Sequence, residues 1–305
     1  MIIAVFPGQG SQSPGFLAPW LELDGARERL ERFSELAEVD LVAAGTEWDA
    51  DRIRDTAVAQ PLIVAASLLS YDALVRDGVR PAGVAGHSVG EIAALAAGGV
   101  LGDDDAMRLV GLRGRAMADA ATREQTGMSA VLGGDQDAVV ARLDELDLTP
   151  ANYNGGGQIV AAGALDALAA LAAEPVSATR VIPLQVAGAF HTRYMAPAVD
   201  TLAAAASATS VNDPDLTLWS NRDGAVVTAG RDALDRLVAQ VASPVRWDLC
   251  MASFAEHGVS GIIEFAPAGT LVGLAKRALR GVPSVAVKTP DDLVAASALI
   301  SGGAA

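Results

Sequence analysis

The stretch PAGVAGHSVGEIAALAAGG, residues 81–99, constrains the fold more than any other part of the chain. A short apolar run enters a glycine-framed serine, Gly86-x-Ser88-x-Gly90, and leaves as a helix-forming segment. The glycines let the backbone swing from strand to helix in a turn that bulkier residues would block, so the serine hydroxyl stands clear of the chain. The rest of the N-terminal third agrees. IIAVF at 2–6 is an apolar run stopped by Pro-Gly, as a buried strand is. ARERLERFSELAEVDL and PLIVAASLLSYDALVRDG carry helical spacing, the second closing on Gly78. Strand, helices, strand, turn, helix is an α/β order with a parallel sheet.

Near residue 126 the rhythm changes. MSAVLGG, DQDAVVARLDEL, LTPANYN, QIVAAG, ALDALAALAAE and TRVIPLQV read as β-α-β-β-α-β, the split unit of a ferredoxin-like fold. Beyond 190 the strand LTLWS, the helices DALDRLVAQVA and WDLCMASFAEHG, the strand GIIEFA and the helix TLVGLAKRAL return to the first pattern. The fold class expected is α/β. A large α/β-hydrolase-like subdomain with a parallel sheet takes 1–125 and 190–305, and an inserted ferredoxin-like (βαββαβ) small subdomain takes 126–189. The tail SGGAA reads as a frayed end.

Composition excludes several functions. The 305 residues, 51% hydrophobic, suffice for a sizeable core. A formal charge of −15 repels nucleic acid and anionic membranes, so neither is an expected partner. The N-terminus lacks the basic start and apolar run of a signal peptide, and no window holds about 20 uninterrupted apolar residues, so a cytoplasmic location is expected. The single cysteine, Cys250, can form neither an internal disulfide nor a cysteine metal cluster, and reads as a buried thiol in a helix.

Ser88 at a helix start would have free N–H groups and a positive dipole end beside it, both suited to an oxyanion. The same pattern fits a plain turn with Ser88 as an N-cap and Glu91 as its capping-box carboxylate. A serine nucleophile needs a base, and the chain has three histidines. His87 adjoins the serine and reads as a lining residue. His257 precedes Gly258 at a helix end, where histidine meets the last carbonyls. His191, in VAGAFHTRYM, falls where the inserted unit hands back to the large one, and interdomain junctions form clefts. It reads as the base or as a polar junction residue. An α/β-hydrolase runs serine, acid, then a late histidine, whereas more than a third of this chain follows His191, so that order fits badly.

In LGDDDAMRLVGLRGRAMADAA, helical spacing puts Ala106, Leu109, Val110 and Met117 on one apolar stripe, with Arg113 in its middle and Arg108 and Arg115 opposite, in solvent. An arginine cannot shed its charge, so Arg113 on a core-facing stripe requires an anion. That anion is an internal Asp or Glu, or a carboxylate brought by a substrate such as a malonyl unit.

FPGQGSQ at 6–12, GHSVGE at 86–91, LRGR at 112–115, NYNGGGQ at 152–158, GAFH at 188–191 and EFAPAGTL at 264–271 occur in the order seen in malonyl-CoA:acyl carrier protein transacylases, and the chain resembles that family over nearly its whole length. Related acyltransferase domains serve polyketide synthases. The resemblance implies the same two-part fold, Ser88 as carrier of a malonyl ester, and His191 as its base. It further implies main-chain N–H groups of Gln9 and Val89 as an oxyanion hole, and Arg113 as partner of the malonyl carboxylate. A backbone carbonyl in SPVRW, at Arg246, would orient the histidine, although many relatives have Asn where this chain has Ser243. Phe190 resembles the residue of malonyl-selecting enzymes, an aromatic wall against an α-methyl branch. Malonyl-CoA and an acyl carrier protein are the implied partners, with coenzyme A thioester as substrate, no cofactor, no metal and a monomeric enzyme. Lys276, Arg277 and Arg280 could receive an acidic carrier, or simply face solvent. Rival readings are a serine esterase or thioesterase, a discrete acyltransferase of a polyketide pathway, and a non-catalytic module that binds carrier proteins.

Overall fold

The computed structural model describes residues 1–76 and 78–302; the last three residues of the tail expected to fray lie outside them. Eleven strands occur among the described residues: β1 (Ile2–Phe6), β2 (Gly83–Gly86), β3 (Thr126–Gly133), β4 (Thr149–Gly155), β5 (Gln158–Ala164), β6 (Thr179–Pro183), β7 (Thr217–Trp219), β8 (Val226–Val227), β9 (Val245–Arg246), β10 (Gly261–Glu264) and β11 (Ser284–Ala286). They form two sheets, ordered β11-β10-β1-β2-β7-β8 and β6-β3-β5-β4-β9.

The first sheet is parallel from β11 to β7, with β8 antiparallel at its edge. Its central strand shows why IIAVF is apolar throughout. Ala4 and Phe6 enter a core built with the helices Ala26–Ala37, Thr56–Val75 and Asp103–Ala121, while Ile3 and Val5 enter a second core with Trp247, Phe254 and Leu271 on the other face. A strand covered on both faces has no polar side to alternate with. Helix Thr56–Val75 is long and apolar enough, by length and composition alone, to cross a membrane, but it is packed inside the protein. It starts five residues before Pro61, where the apolar run read from the sequence begins, because Asp55 caps it by accepting the Ala57 N–H at 2.8 Å.

In the second sheet β3, β4, β5 and β6 take the ferredoxin-like order, and the helices Gln136–Glu145 and Leu165–Ala173 cover one face through Val139, Leu143, Leu168 and Leu171. The sheet has a fifth strand absent from the sequence reading. β9, only two residues long and following a proline, pairs in parallel with β4. Two residues carry no periodicity, so such a pairing is visible only once the two parts have met.

The glycine frame of β2 is a packing requirement. A Cβ on Gly86 would lie 2.0 Å from the Gly90 carbonyl oxygen, and one on Gly90 would lie 2.2 Å from that of Phe6. Gly90→Ala should therefore lower stability by about 1–3 kcal/mol, read as a fall in the urea midpoint. By contrast Gly273, in helix Thr270–Ala278 with open space around its Cβ position, should gain about 0.5–1 kcal/mol as alanine.

Candidate active site

The cleft lies beyond the carboxyl ends of β1, β2 and β10, where α/β sheets present ligands, and the second sheet closes it from above. Gly8 and Gln9 follow β1, His87 and Ser88 follow β2, and Met128, Asn152, Asn154 and Val160 come from the second sheet.

Ser88 sits at φ +53°, a left-handed conformation that a non-glycine residue adopts only when its surroundings impose it. What imposes it is visible. The Ser88 N–H donates to Asn221 Oδ1 at 2.8 Å, and Asn221 Nδ2 donates to the Gly86 carbonyl at 2.6 Å. Ser88 Oγ lies 2.7 Å from His191 Nε2, and His191 Nδ1 lies 2.8 Å from the main-chain carbonyl of Gln240. A carbonyl only accepts, so Nδ1 carries the proton and Nε2 offers its lone pair to the serine hydroxyl. His191 is itself at φ +61° and buried, joined by Phe190, which lines the cleft beside it.

The carbonyl behind His191 is not that of Arg246, where it was expected. Arg246 donates its main-chain N–H to the Asn221 carbonyl at 2.8 Å, and its guanidinium pairs with Asp248 and lies 4.5 Å over Tyr153. Its backbone is committed to β9. Gln240 instead ends helix Gly230–Gln240, and its carbonyl, which accepts the Ser243 N–H at 3.2 Å, keeps a second lone pair for a side chain. Glu91 departs likewise from a capping role. It is buried, and its carboxylate accepts from the Asn221 N–H at 2.9 Å and from Gln240 Nε2.

Arg113 is 1% exposed, among the apolar residues of its stripe. Arg108 reaches solvent beside Asp105, but Arg115 lies half-buried and donates to the Ala37 carbonyl at 2.7 Å. Among the described residues no acid touches Arg113. One of its terminal nitrogens donates to Gln60 Oε1 at 2.6 Å and the other to Gln240 Oε1 at 3.1 Å, while Nε has no partner. Burial lowers its pKa to about 10, opposed by Glu91, so it stays cationic at neutral pH. Gln60 also lines the cleft, separating Arg113 from it by one amide. Burial raises Glu91 to about 7.

The other residues singled out from the sequence take the following places. The main-chain N–H groups of Gln9 and Val89 donate to no protein acceptor among the described residues, and Gln9 lines the cleft while Val89 begins the helix Gly90–Ala97. His87 is held by Asn154 Oδ1 at 2.9 Å, a link between the two sheets, and burial lowers its pKa. His257 closes its helix against the Ser253 carbonyl at 2.8 Å, and Cys250 is a buried free thiol. Lys276 and Arg277 are exposed on the helix Thr270–Ala278, whose Leu271 and Leu274 line the cleft, and Arg280 is exposed just beyond its end. No group of three or more metal-binding side chains occurs among the described residues. Gln60, Asn221 and Gln240 were not singled out from sequence. The signal was there in a lone amide inside an apolar helical run, as in AVAQPLIVAA and DRLVAQVA.

Burial, and then the Arg113 charge, hold the His191 pKa down to about 3. Between about pH 6.5 and 3 an unfolded chain binds a proton on this residue that the folded one refuses, so acid favours unfolding there. Wild type should lose stability on acidification more steeply than His191→Gln across that window, measured by urea denaturation at stepped pH.

The comparisons with known proteins agree with this geometry. The acyl transferase domain model matches residues 3–291. The malonyl CoA-acyl carrier protein transacylase of Mycobacterium tuberculosis is 56% identical over 296 residues, 96% of this chain and 98% of that protein, and the one of Escherichia coli is 34% identical over 96% and 97%. The crystal structure of MCAT from Mycobacterium tuberculosis superposes with a TM-score of 0.95 at 55% identity, covering 97% of this chain and all of that one. A malonyl-transacylase solved with its type II PKS acyl-carrier protein gives 0.90 at 30% identity, covering 97% of this chain and 98% of that chain. The two-sheet α/β architecture with a serine elbow facing a histidine is thus that of an acyltransferase, and the chain belongs to the malonyl CoA-acyl carrier protein transacylase family.

Proposed function

We propose that the protein moves a malonyl group from malonyl-CoA to the phosphopantetheine thiol of an acyl carrier protein, through a malonyl ester on Ser88. His191 Nε2 takes the hydroxyl proton as Ser88 Oγ attacks the thioester carbon. The oxyanion is met by the N–H groups of Gln9 and Val89. As the carbon–sulfur bond breaks, His191 passes its proton to the departing coenzyme A sulfur. In the second half a pantetheine thiol gives its proton to His191, its sulfur attacks the ester, and Ser88 regains a proton as the carbon–oxygen bond breaks.

The observation that carries this reading is a cation beside the nucleophile with only neutral acceptors on it. A carboxylate entering from the cleft can take the place of the Gln60 amide oxygen and offer Arg113 two charged acceptors instead of uncharged ones. The group behind the base differs from that of a hydrolase. His191 has a carbonyl behind it where hydrolases have a carboxylate, and Arg113 further disfavours the imidazolium. A thiol, whose pKa is about 8.5, is the easier proton donor for such a base, while attack by the Ser88 hydroxyl leans on the oxyanion hole. Phe190 at the cleft wall narrows the space for a branch on the acyl α-carbon, worth about 1–3 kcal/mol per methyl.

Intact mass spectrometry after rapid mixing with malonyl-CoA tests the scheme. One malonyl should appear on Ser88 and disappear on adding holo carrier protein, whereas quick release of malonate to water without an acceptor would establish the esterase reading instead. Arg113→Ala should slow malonyl loading about 100-fold and leave acetyl loading unchanged or faster. Replacing Lys276, Arg277 and Arg280 together by glutamate should raise the KM for carrier protein about tenfold at unchanged malonyl loading, measured by separate half-reaction kinetics.

A further inference from the structure

Glu91 takes no part in the chemistry above, yet it lies at the centre of the buried polar network beneath the cleft. It stands on the first turn of helix Gly90–Ala97, 4% exposed. One oxygen accepts the Asn221 N–H and the other accepts Gln240 Nε2. Those two amides hold everything else. Asn221 Oδ1 accepts the Ser88 N–H at 2.8 Å and Gln240 Nε2 at 3.2 Å, and Asn221 Nδ2 holds the Gly86 carbonyl. Gln240 holds His191 by its main chain and Arg113 by its side-chain oxygen. A carboxylate offers only acceptors and a guanidinium only donors, so the Gln240 amide between them has one satisfactory orientation. Turned over, it would set oxygen against oxygen at Glu91 and N–H against N–H at Arg113.

We propose that Glu91 is a positioning residue: it fixes Gln240 and Asn221, and through them the elbow of Ser88, the carbonyl behind His191 and the acceptor on Arg113. The Arg113 arm rests on the malonyl reading given above; the Ser88 and His191 arms stand without it. Ionised Glu91 also balances Arg113 across a single amide, leaving neither buried charge uncompensated. The charged and titratable groups facing it are Arg113 from helix Asp103–Ala121, Arg236 from helix Gly230–Gln240 and Cys250 from helix Trp247–Glu256. Burial lifts the carboxyl to about 7, against the hydrogen bond from Asn221. A proton added there would face two N–H donors, with only the neighbouring Ser220 hydroxyl able to turn and accept it, so protonation weakens one of the two amide contacts.

The experiment uses a fluorophosphonate probe, which labels an activated serine without needing an acyl carboxylate, alongside loading from malonyl-CoA and acetyl-CoA. Glu91→Gln keeps the shape but sets a donor against a donor. It should slow Ser88 labelling about tenfold or more, and cut malonyl loading further than acetyl loading, with circular dichroism unchanged. Labelling at the wild-type rate with an unaltered malonyl-to-acetyl ratio would overturn the proposal. Should that variant fail to fold, Glu91→Asp keeps the acceptors and the charge but withdraws them by one methylene, and it should likewise slow labelling and lower the malonyl-to-acetyl ratio. Wild-type labelling that falls on acidification, with the fall absent from the variant, belongs to Glu91, whereas the same fall in both belongs to His191 and refutes a titrating role for Glu91. Should wild type load no malonyl at all, the transfer reading falls while labelling still decides the part played by Glu91.

Discussion

The structure depends on a positive charge that cannot be neutralised and is held where water cannot reach it. Moving a guanidinium into a protein interior costs several kcal/mol unless donors are matched, and a direct ion pair would be the simplest repayment. Here the repayment is indirect. Two glutamine oxygens meet Arg113, and the compensating carboxylate, Glu91, stands one amide further away. An acid in direct contact would have consumed the charge. Because the acceptors are neutral, the malonyl carboxylate of the proposed reaction would meet a cation with no acid directly on it, one amide from the cleft that holds the serine.

The same economy governs the elbow. Two residues in the left-handed region, Ser88 and His191, face each other across 2.7 Å, each costing of order 1–3 kcal/mol of backbone strain. Strain of this kind persists only when the surroundings over-determine it. Asn221 supplies that constraint for Ser88 by binding the turn on both sides of the serine, at the Gly86 carbonyl and the Ser88 N–H. For His191 the backbone is pinned by its neighbours, the Ala189 N–H to Thr126 Oγ1 at 3.0 Å and Thr192 Oγ1 to the Ala189 carbonyl at 2.7 Å. Thr126 begins the second sheet, so the base is placed jointly by both halves of the molecule.

What could be read from residues alone follows the range of each interaction. The elbow, the alternation of strands and helices and the ferredoxin-like order are written in local periodicity and in glycines whose missing Cβ atoms have a purpose within a few residues. Arg113 was legible because a charge on an apolar helical stripe is a contradiction that must be resolved somewhere. What escaped was where partners come from. Arg246 and Gln240 are six positions apart, and only the tertiary fact that β9 joins the second sheet turns the main chain of one away and leaves the helix end of the other facing His191. Arg115 and Glu91 escaped for the same reason, since their partners, Ala37, Asn221 and Gln240, are distant in the chain.

These distant contacts also set the basicity of His191. A carboxylate behind the histidine would stabilise the imidazolium strongly and serve any nucleophile, water included. A helix-end carbonyl supplies the dipole of a terminus, a partial charge of about half an electron shared over several groups, and so fixes the tautomer with less gain in basicity. Arg113 pushes in the same direction, because the cation that would grip a substrate carboxylate also opposes protonation of His191. In the proposed reaction a substrate carboxylate pairing with Arg113 would weaken that opposition, so the base would strengthen as the acyl group arrives. Recognition of the acyl unit and the basicity of His191 would then share one electrostatic origin.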